Sequence, residues 1–277
     1  MAKARRKSPF WRRNTPKPQY DIALLRPATE PKGERFETPA DTRKESERSE
    51  KLLRSFSGGK KELAEFLQEC RAGDYECNKP FCPICARHFR RWFIGELLQI
   101  TKGHDSVHIY TVLLKEAPTD KIDTLDPAPV RHALRKRLQR AGLGKVPVIG
   151  GIEIVYKAKK RVWVLHANLV MIGGKKSARN KFKQTFQDDD LERPLVRAAL
   201  KDRAEQLSYI LKFGTYHRPH EQQGPTKSPA KPLNPKEHAA LLKWMSEFEF
   251  EDFLLLINAR RQGGTKIALS SPAAGKD

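Results

Sequence analysis

The clearest pattern in the chain runs from Gly150 to Gly174, GGIEIVYKAKKRVWVLHANLVMIGG. It predicts two strands joined by a charged turn and fenced by glycine pairs. Strand alternation from Val162 to Ile172 puts Val162, Val164, His166, Asn168, Val170 and Ile172 on one side, and Trp163, Leu165, Ala167, Leu169 and Met171 on the other. Upstream, HIYTVLL at His108–Leu114 reads as a strand, continuous in apolar character and so interior to a sheet. Helical spacing appears over Glu45–Glu69 with a break at Ser57-Gly58-Gly59, then over Ala86–Thr101 and Val130–Ala141. It appears again over residues 191–213 (Val196, Ala199, Leu200, Leu207, Ile210, Leu211) and over Pro235–Arg261. From residue 108 the order is strand, helix, strand, strand, helix. That predicts an α+β fold, a mostly antiparallel sheet with helices packed on one face.

Proline and charge punctuate the rest. Residues 1–50 combine many basic residues with prolines at 9, 16, 18, 27, 31 and 39, and read as a disordered arm with Phe10 and Trp11 available for stacking on bases. The expected organisation is that arm, then a helical and cysteine-bearing element at 51–100, a core at 101–213, a loop at 214–236 and a C-terminal helix and tail at 237–277.

Two polar residues side by side on an apolar strand call for an explanation. His166 and Asn168 share one face, and Glu153 interrupts the partner strand. If Ala158–Arg161 forms a four-residue turn, Glu153 lies opposite His166, and a slip of one residue separates them.

Charge narrows the class of partner. The 277 residues carry a net charge of +21, with 38% hydrophobic and 31% charged residues, so part of the chain is not packed and a polyanion is the natural partner. No run of about 18 apolar residues exists to span a bilayer, and the basic N-terminus lacks the apolar stretch of a signal peptide. A soluble, cytoplasmic, nucleic-acid-binding protein is expected. The residues expected to meet phosphate are Arg87, Arg90 and Arg91 after the cysteines, Arg135 and Lys136 on the Val130 helix, Lys160 and Arg161 in the turn, and Lys175 and Lys176 beyond the second strand.

All four cysteines lie within sixteen residues: Cys70, Cys77, Cys82 and Cys85, separated by six, four and two residues. The closing Cys-Pro-Ile-Cys knuckle suits one tetrahedral ion, and four thiolates saturate zinc, which makes the site structural. His88 is an alternative ligand. Asp188-Asp189-Asp190 reads as negative charge favouring a helix start near Pro194. On the helix expected from residue 191, Tyr209 and Lys212 are neighbours, a phenol with an ammonium beside it.

A Cys-Pro-x-Cys knuckle, a basic-aromatic helix, a strand with an acid, a strand with Trp163-Val-Leu-His166-Ala167-Asn168 and a Tyr209-Ile-Leu-Lys212 segment follow one another in this order. The series resembles the plasmid rolling-circle replication initiators, nucleases named for a His-hydrophobe-His motif. The resemblance covers roughly Cys70 to Lys212, with a fainter match at Asn258–Gly263. It implies that fold, an antiparallel sheet of the RNA-recognition-motif type. It also implies a divalent metal, manganese or magnesium, held by His166, Glu153 and the residue at 168. Asn168 stands where the family has its second histidine; an amide oxygen can ligate a hard cation. The implied reaction is attack by Tyr209 on single-stranded or hairpin origin DNA, leaving a 5′-phosphotyrosine, with Lys212 beside it. Many such initiators carry a tyrosine directly after the lysine, where this chain has Phe213, and that makes Tyr216 the next candidate. Two other readings compete: a DNA-binding protein of the same fold without catalysis, and a zinc-containing RNA-binding protein.

Overall fold

The computed structural model describes residues 39–55, 60–73, 75–187, 194–200, 203–217, 231–262 and 266–270. Three helices come first: α1 (Pro39–Ser55), α2 (Lys61–Ala72) and α3 (Pro83–Thr101). The start of α1 corrects the expected extent of the N-terminal arm. Thr42, Ser46, Ser49 and Leu53 form a buried stripe at three- and four-residue spacing, so residues 39–50 belong to the folded body. Phe10, Trp11 and the rest of the arm lie outside the described residues, as does the glycine break after Ser55.

The sheet follows. Strand β1 (Val107–Pro118) leads through a 3₁₀ turn at Thr119–Thr124 to α4 (Pro127–Arg140), then β2 (Val148–Lys157), β3 (Val162–Ile172) and α5 (Lys176–Gln184). Asp126 caps α4 by accepting from the Ala128 N–H at 2.8 Å, and proline occupies the helix start, as the sequence 126–130 favours.

Beyond α5 the expectation is corrected. Leu195–Ala199 is a short strand, β4, and only Arg203–Ser208 is helical, as α6. The apolar positions that fit a helical stripe from 191 to 213 are divided between an edge strand, the short α6 and the turn after it. Strands β5 (Tyr216–His217) and β6 (Lys231–Pro232) pair with each other. The last helix, α7 (Pro235–Ser246), also stops well short of Arg261. A 3₁₀ turn at Phe250–Phe253 follows, then β7 (Leu254–Ile257), β8 (Ala259–Gln262) and β9 (Lys266–Leu269). Of the residues expected to reach the core from this stretch, Leu241, Leu242, Trp244, Met245, Phe250, Phe253 and Leu254 are buried and Phe248 is half-buried.

Strands β4, β1, β3, β2 and β7 form one five-stranded sheet in that order, and every pairing is antiparallel. The α+β architecture with an antiparallel sheet is as the sequence predicts, and β1 is interior. The coverage of the sheet differs from expectation. On the face of Tyr110 and Leu169, Phe182 of α5 meets the Tyr110 ring edge-on at 5.7 Å. On the opposite face the segment 208–211 lies against Gly151. Structure therefore covers both faces. Among the described residues no helix is long and apolar enough to cross a membrane.

Candidate functional site

Two sites predicted from the sequence are assembled by this fold. The first is the cysteine cluster. Cys70 ends the buried stripe of α2, Cys77 lies in the connecting loop, Cys82 precedes α3 as its N-cap residue and Cys85 sits in the first turn of α3. All four are buried and unoxidised, with sulfurs within 4.8 Å of one another. Cys85 Sγ is 3.9 Å from Cys70 Sγ and 3.8 Å from Cys77 Sγ. Four sulfurs about 2.3 Å from a tetrahedral zinc ion would be about 3.8 Å apart, so these four cysteines could hold such an ion. Their electrostatics agree. Bonds from Cys77, then Cys82 and Cys85, hold the Cys70 thiol far below its usual range, whereas Cys77 is pushed up chiefly by its bond to Cys70 and Cys82 chiefly by burial. The cluster accepts one negative charge readily and resists more, and a divalent cation is what would let all four deprotonate. His88 is not part of the group.

The second site lies on β2 and β3. The turn between them closes with Arg161 N–H donating to Ala158 carbonyl at 3.3 Å, and Arg161 adopts a positive φ of 53°. This turn sets the register that pairs Glu153 with His166 and Gly151 with Asn168. Glu153 Oε2 is 2.9 Å from His166 Nε2. Glu153 is only 6% exposed, and its other oxygen, Oε1, meets no hydrogen-bond partner among the described residues. A buried carboxylate with an unused oxygen beside an imidazole is a donor pair that fits a cation. Directly beside it β1 is irregular: the register slips between Leu113, which pairs with His166, and Lys115. Such bulges re-aim side chains where a strand borders a site.

Asn168 joins the same face, but its amide is already engaged. Oδ1 accepts from Thr111 Oγ1 at 2.8 Å, and Nδ2 donates to the Tyr209 carbonyl at 3.3 Å. Thr111 was not singled out in the sequence. Its signal is the lone threonine in HIYTVLL, which β1 pairs with Asn168.

The backbone of Tyr209 is thus bonded to the sheet, directly after α6 and not on a helix. Gly151 makes this approach possible. A Cβ there would lie 2.7 Å from Leu211 Cδ1 and 2.8 Å from the Ile210 carbonyl oxygen. The Tyr209 ring is half-buried against Ile94 of α3, and Lys212 Nζ sits 3.8 Å from the ring centroid. The predicted neighbourhood of Tyr209 and Lys212 holds, with the ammonium over the ring face. Tyr216 lies elsewhere: its hydroxyl donates to Glu45 of α1 at 3.2 Å, and its phenol is pushed up by burial and then by Glu45.

The basic residues divide into two groups. Arg87 and Arg90 are buried, which corrects their assignment to a phosphate-facing surface. Arg90 donates to the carbonyls of Leu211 at 2.6 Å and Ser208 at 3.2 Å, so it ties α3 to the segment that carries Tyr209. The sequence pattern missed this because a guanidinium can be buried where it finds backbone carbonyls to satisfy it. Arg91 is half-buried. Arg135, Lys136, Lys160, Arg161, Lys175 and Lys176 are exposed, on α4, the β2–β3 turn and the start of α5. Asp188–Asp190 lie outside the described residues. No protein-family model matches the chain, and no curated protein or solved structure matches it.

Proposed function

We propose that this chain is a DNA-binding replication initiator of the rolling-circle type, which nicks and rejoins one DNA strand through a tyrosyl intermediate. The observation that carries the reading is the pair of buried Glu153 and half-buried His166, 2.9 Å apart on adjacent strands and with one carboxylate oxygen unused among the described residues, on the face to which the Tyr209 backbone is bonded. His166 and Glu153, with Asn168 as third donor, would hold manganese or magnesium. When bound, such an ion offsets phosphodiester charge and polarises the phosphorus–oxygen bond.

The chain's own residues do the rest. The Tyr209 phenol oxygen bonds to phosphorus as the bond from phosphorus to the 3′ oxygen breaks. The phenol proton ends on that leaving oxygen, which departs as a 3′ hydroxyl, and the 5′ phosphate stays on the tyrosine. Rejoining is the reverse, so no outside energy source is needed. Lys212 brings positive charge to the phosphate arriving at the same ring. Zinc at Cys70, Cys77, Cys82 and Cys85 would fix α2 against α3 and so position Arg90.

A second reading is favoured by one observation. Both ends of the Asn168 amide are engaged, by Thr111 and by Tyr209. If Asn168 serves only to hold those partners, the metal is left with two protein ligands, and the chain binds DNA without cutting it.

Incubating the protein with a randomised pool of single-stranded DNA and manganese separates the two. The nicking reading gives a denaturant-resistant protein–DNA adduct in the wild type and none with Tyr209→Phe. Salt-sensitive binding with no adduct from any DNA supports the second reading, and preference for RNA of equal length contradicts both.

A further inference from the structure

The sheet face opposite His166 carries another cluster of polar groups. Tyr110 in β1 is 1% exposed, and its hydroxyl meets no hydrogen-bond partner among the described residues. Its ring is fixed edge-on against Phe182 of α5. Arg179 lies three residues earlier on α5, on the same side of the helix as Phe182. One of its amino groups, Nη1, donates to the Gly174 carbonyl, while its Nε is buried with no partner among the described residues. From the sheet edge, β4 pairs Arg197 directly with Tyr110. Arg197 Nη2 lies 3.3 Å from His108 Nδ1, and Ser106 Oγ is 3.4 Å from the other ring nitrogen.

The charges here are of one sign. Burial first, then Arg179 and Arg197, pull the His108 imidazole below its ordinary value. Burial raises the Tyr110 phenol while the same two guanidiniums oppose that shift. Both arginines are therefore in electrostatic reach of both rings, and no carboxylate of the described residues contributes at either. Two buried donors without acceptors, framed by two guanidiniums and an imidazole, lack one component: an anion with several acceptor oxygens. Arg197 is exposed on the edge strand, whereas the Tyr110 hydroxyl and the Arg179 Nε are buried, so a ligand would reach them from the Arg197 side.

We propose that Tyr110, Arg179, Arg197 and His108 form a phosphoryl-binding site on the sheet face opposite His166. A phosphoryl group accepts from the Tyr110 hydroxyl, the Arg179 Nε–H and the Arg197 guanidinium together. Its source is the phosphodiester of a nucleic-acid strand or free phosphate. The site uses no residue of the His166 side, so it stands whether or not the chain cuts DNA.

Tyr110→Phe is the informative variant, because it removes the hydroxyl and keeps the ring on Phe182. In the first arm, melting is followed in inorganic phosphate and in chloride of equal ionic strength. Phosphate raises the wild-type melting temperature and leaves that of Tyr110→Phe unchanged. In the second arm, a fluorescent oligothymidylate is titrated with protein in buffer without added divalent ions. If the ligand is the strand, Tyr110→Phe weakens binding by about tenfold. Arg197→Gln then reduces the slope of log affinity against log salt by about 0.7, the share of one phosphate contact on a single strand, whereas Arg43→Gln on α1 does not. A phosphate-dependent melting shift with unchanged oligonucleotide binding assigns the site to free phosphate. No phosphate shift in the wild type, together with equal oligonucleotide affinity for Tyr110→Phe and wild type, overturns the proposal.

Discussion

Glu153 and His166 occupy directly paired positions of β2 and β3, and their side chains meet at 2.9 Å on a sheet face that is otherwise largely apolar. An acid–imidazole pair held largely out of water is weak evidence for stability, because desolvating polar groups costs much of what their attraction returns. A cation between donors of this type gives the pair a reason to exist. Manganese should therefore raise the melting temperature of the wild type, and Glu153→Gln should weaken manganese binding by about tenfold or more by removing the charged ligand. Calorimetric titration checks this. Equal manganese affinity in Glu153→Gln and wild type would place any such ion elsewhere.

The contact between the 208–211 segment and the sheet can be broken without touching a candidate ligand. In Gly151→Ala the new methyl group would sit within 2.8 Å of the Ile210 carbonyl oxygen. Overpacking of this sort costs about 1–3 kcal/mol, and the displaced segment carries Tyr209. Arg90→Ala removes the bonds to the Leu211 and Ser208 carbonyls that hold the same segment from α3. Both variants should unfold at lower denaturant concentration than wild type and lose adduct formation, while their zinc content is unchanged.

Zinc is testable on its own. One zinc ion per chain is expected by elemental analysis. Cys85→Ser should lose it, because Cys85 Sγ sits 3.8–3.9 Å from two of the other sulfurs. Binding of a structural zinc can contribute on the order of 10 kcal/mol to folding. A strong chelator should then melt α2 and the start of α3, seen as faster hydrogen exchange over residues 61–90. Full helicity with the metal removed would make the cluster an ordinary buried one.

Acid sensitivity follows from His238 of α7. It is 1% exposed, its Nε2 lies 3.2 Å from Ser49 Oγ, and burial, then the charge of Arg48, holds its pKa down to about 3. Glu45 lies 3.6 Å from the same nitrogen, but its carboxylate is also paired with Arg48 at 2.7 Å. The unfolded chain takes up this proton near the ordinary value of 6.5, and the folded chain only near 3. Between those limits the unfolded state binds more protons, so stability falls as pH drops from 6.5 toward 3. The slope from this group is about 1.4 kcal/mol per pH unit. His238→Gln should flatten the stability–pH curve over that window in denaturant titrations.

How far the sequence could be read depended on how local the determining interaction was. The β2–β3 register and the cysteine cluster are set by a short turn and by short spacings, and both are legible in the chain. The burial of Arg90 is not, because the carbonyls that satisfy it belong to residues 208 and 211, far along the sequence. Residues 195–199 have apolar spacing that suits a helix, yet pairing with His108–Val112 makes them an edge strand. Likewise β7 is a strand because β2 offers it an open edge, whereas the run from Pro235 reads as one continuous helix. Thr111 and Tyr110 become notable only once β1 is set beside Asn168 and Arg197.

The most direct test of the central claim is the identity of the residue joined to DNA. The wild-type protein is incubated with single-stranded DNA and manganese, the adduct is digested, and the modified peptide is sequenced by mass spectrometry. The account predicts a phosphotyrosyl linkage at Tyr209. A linkage at Tyr216, whose hydroxyl donates to Glu45, or no covalent species with any DNA, would contradict it.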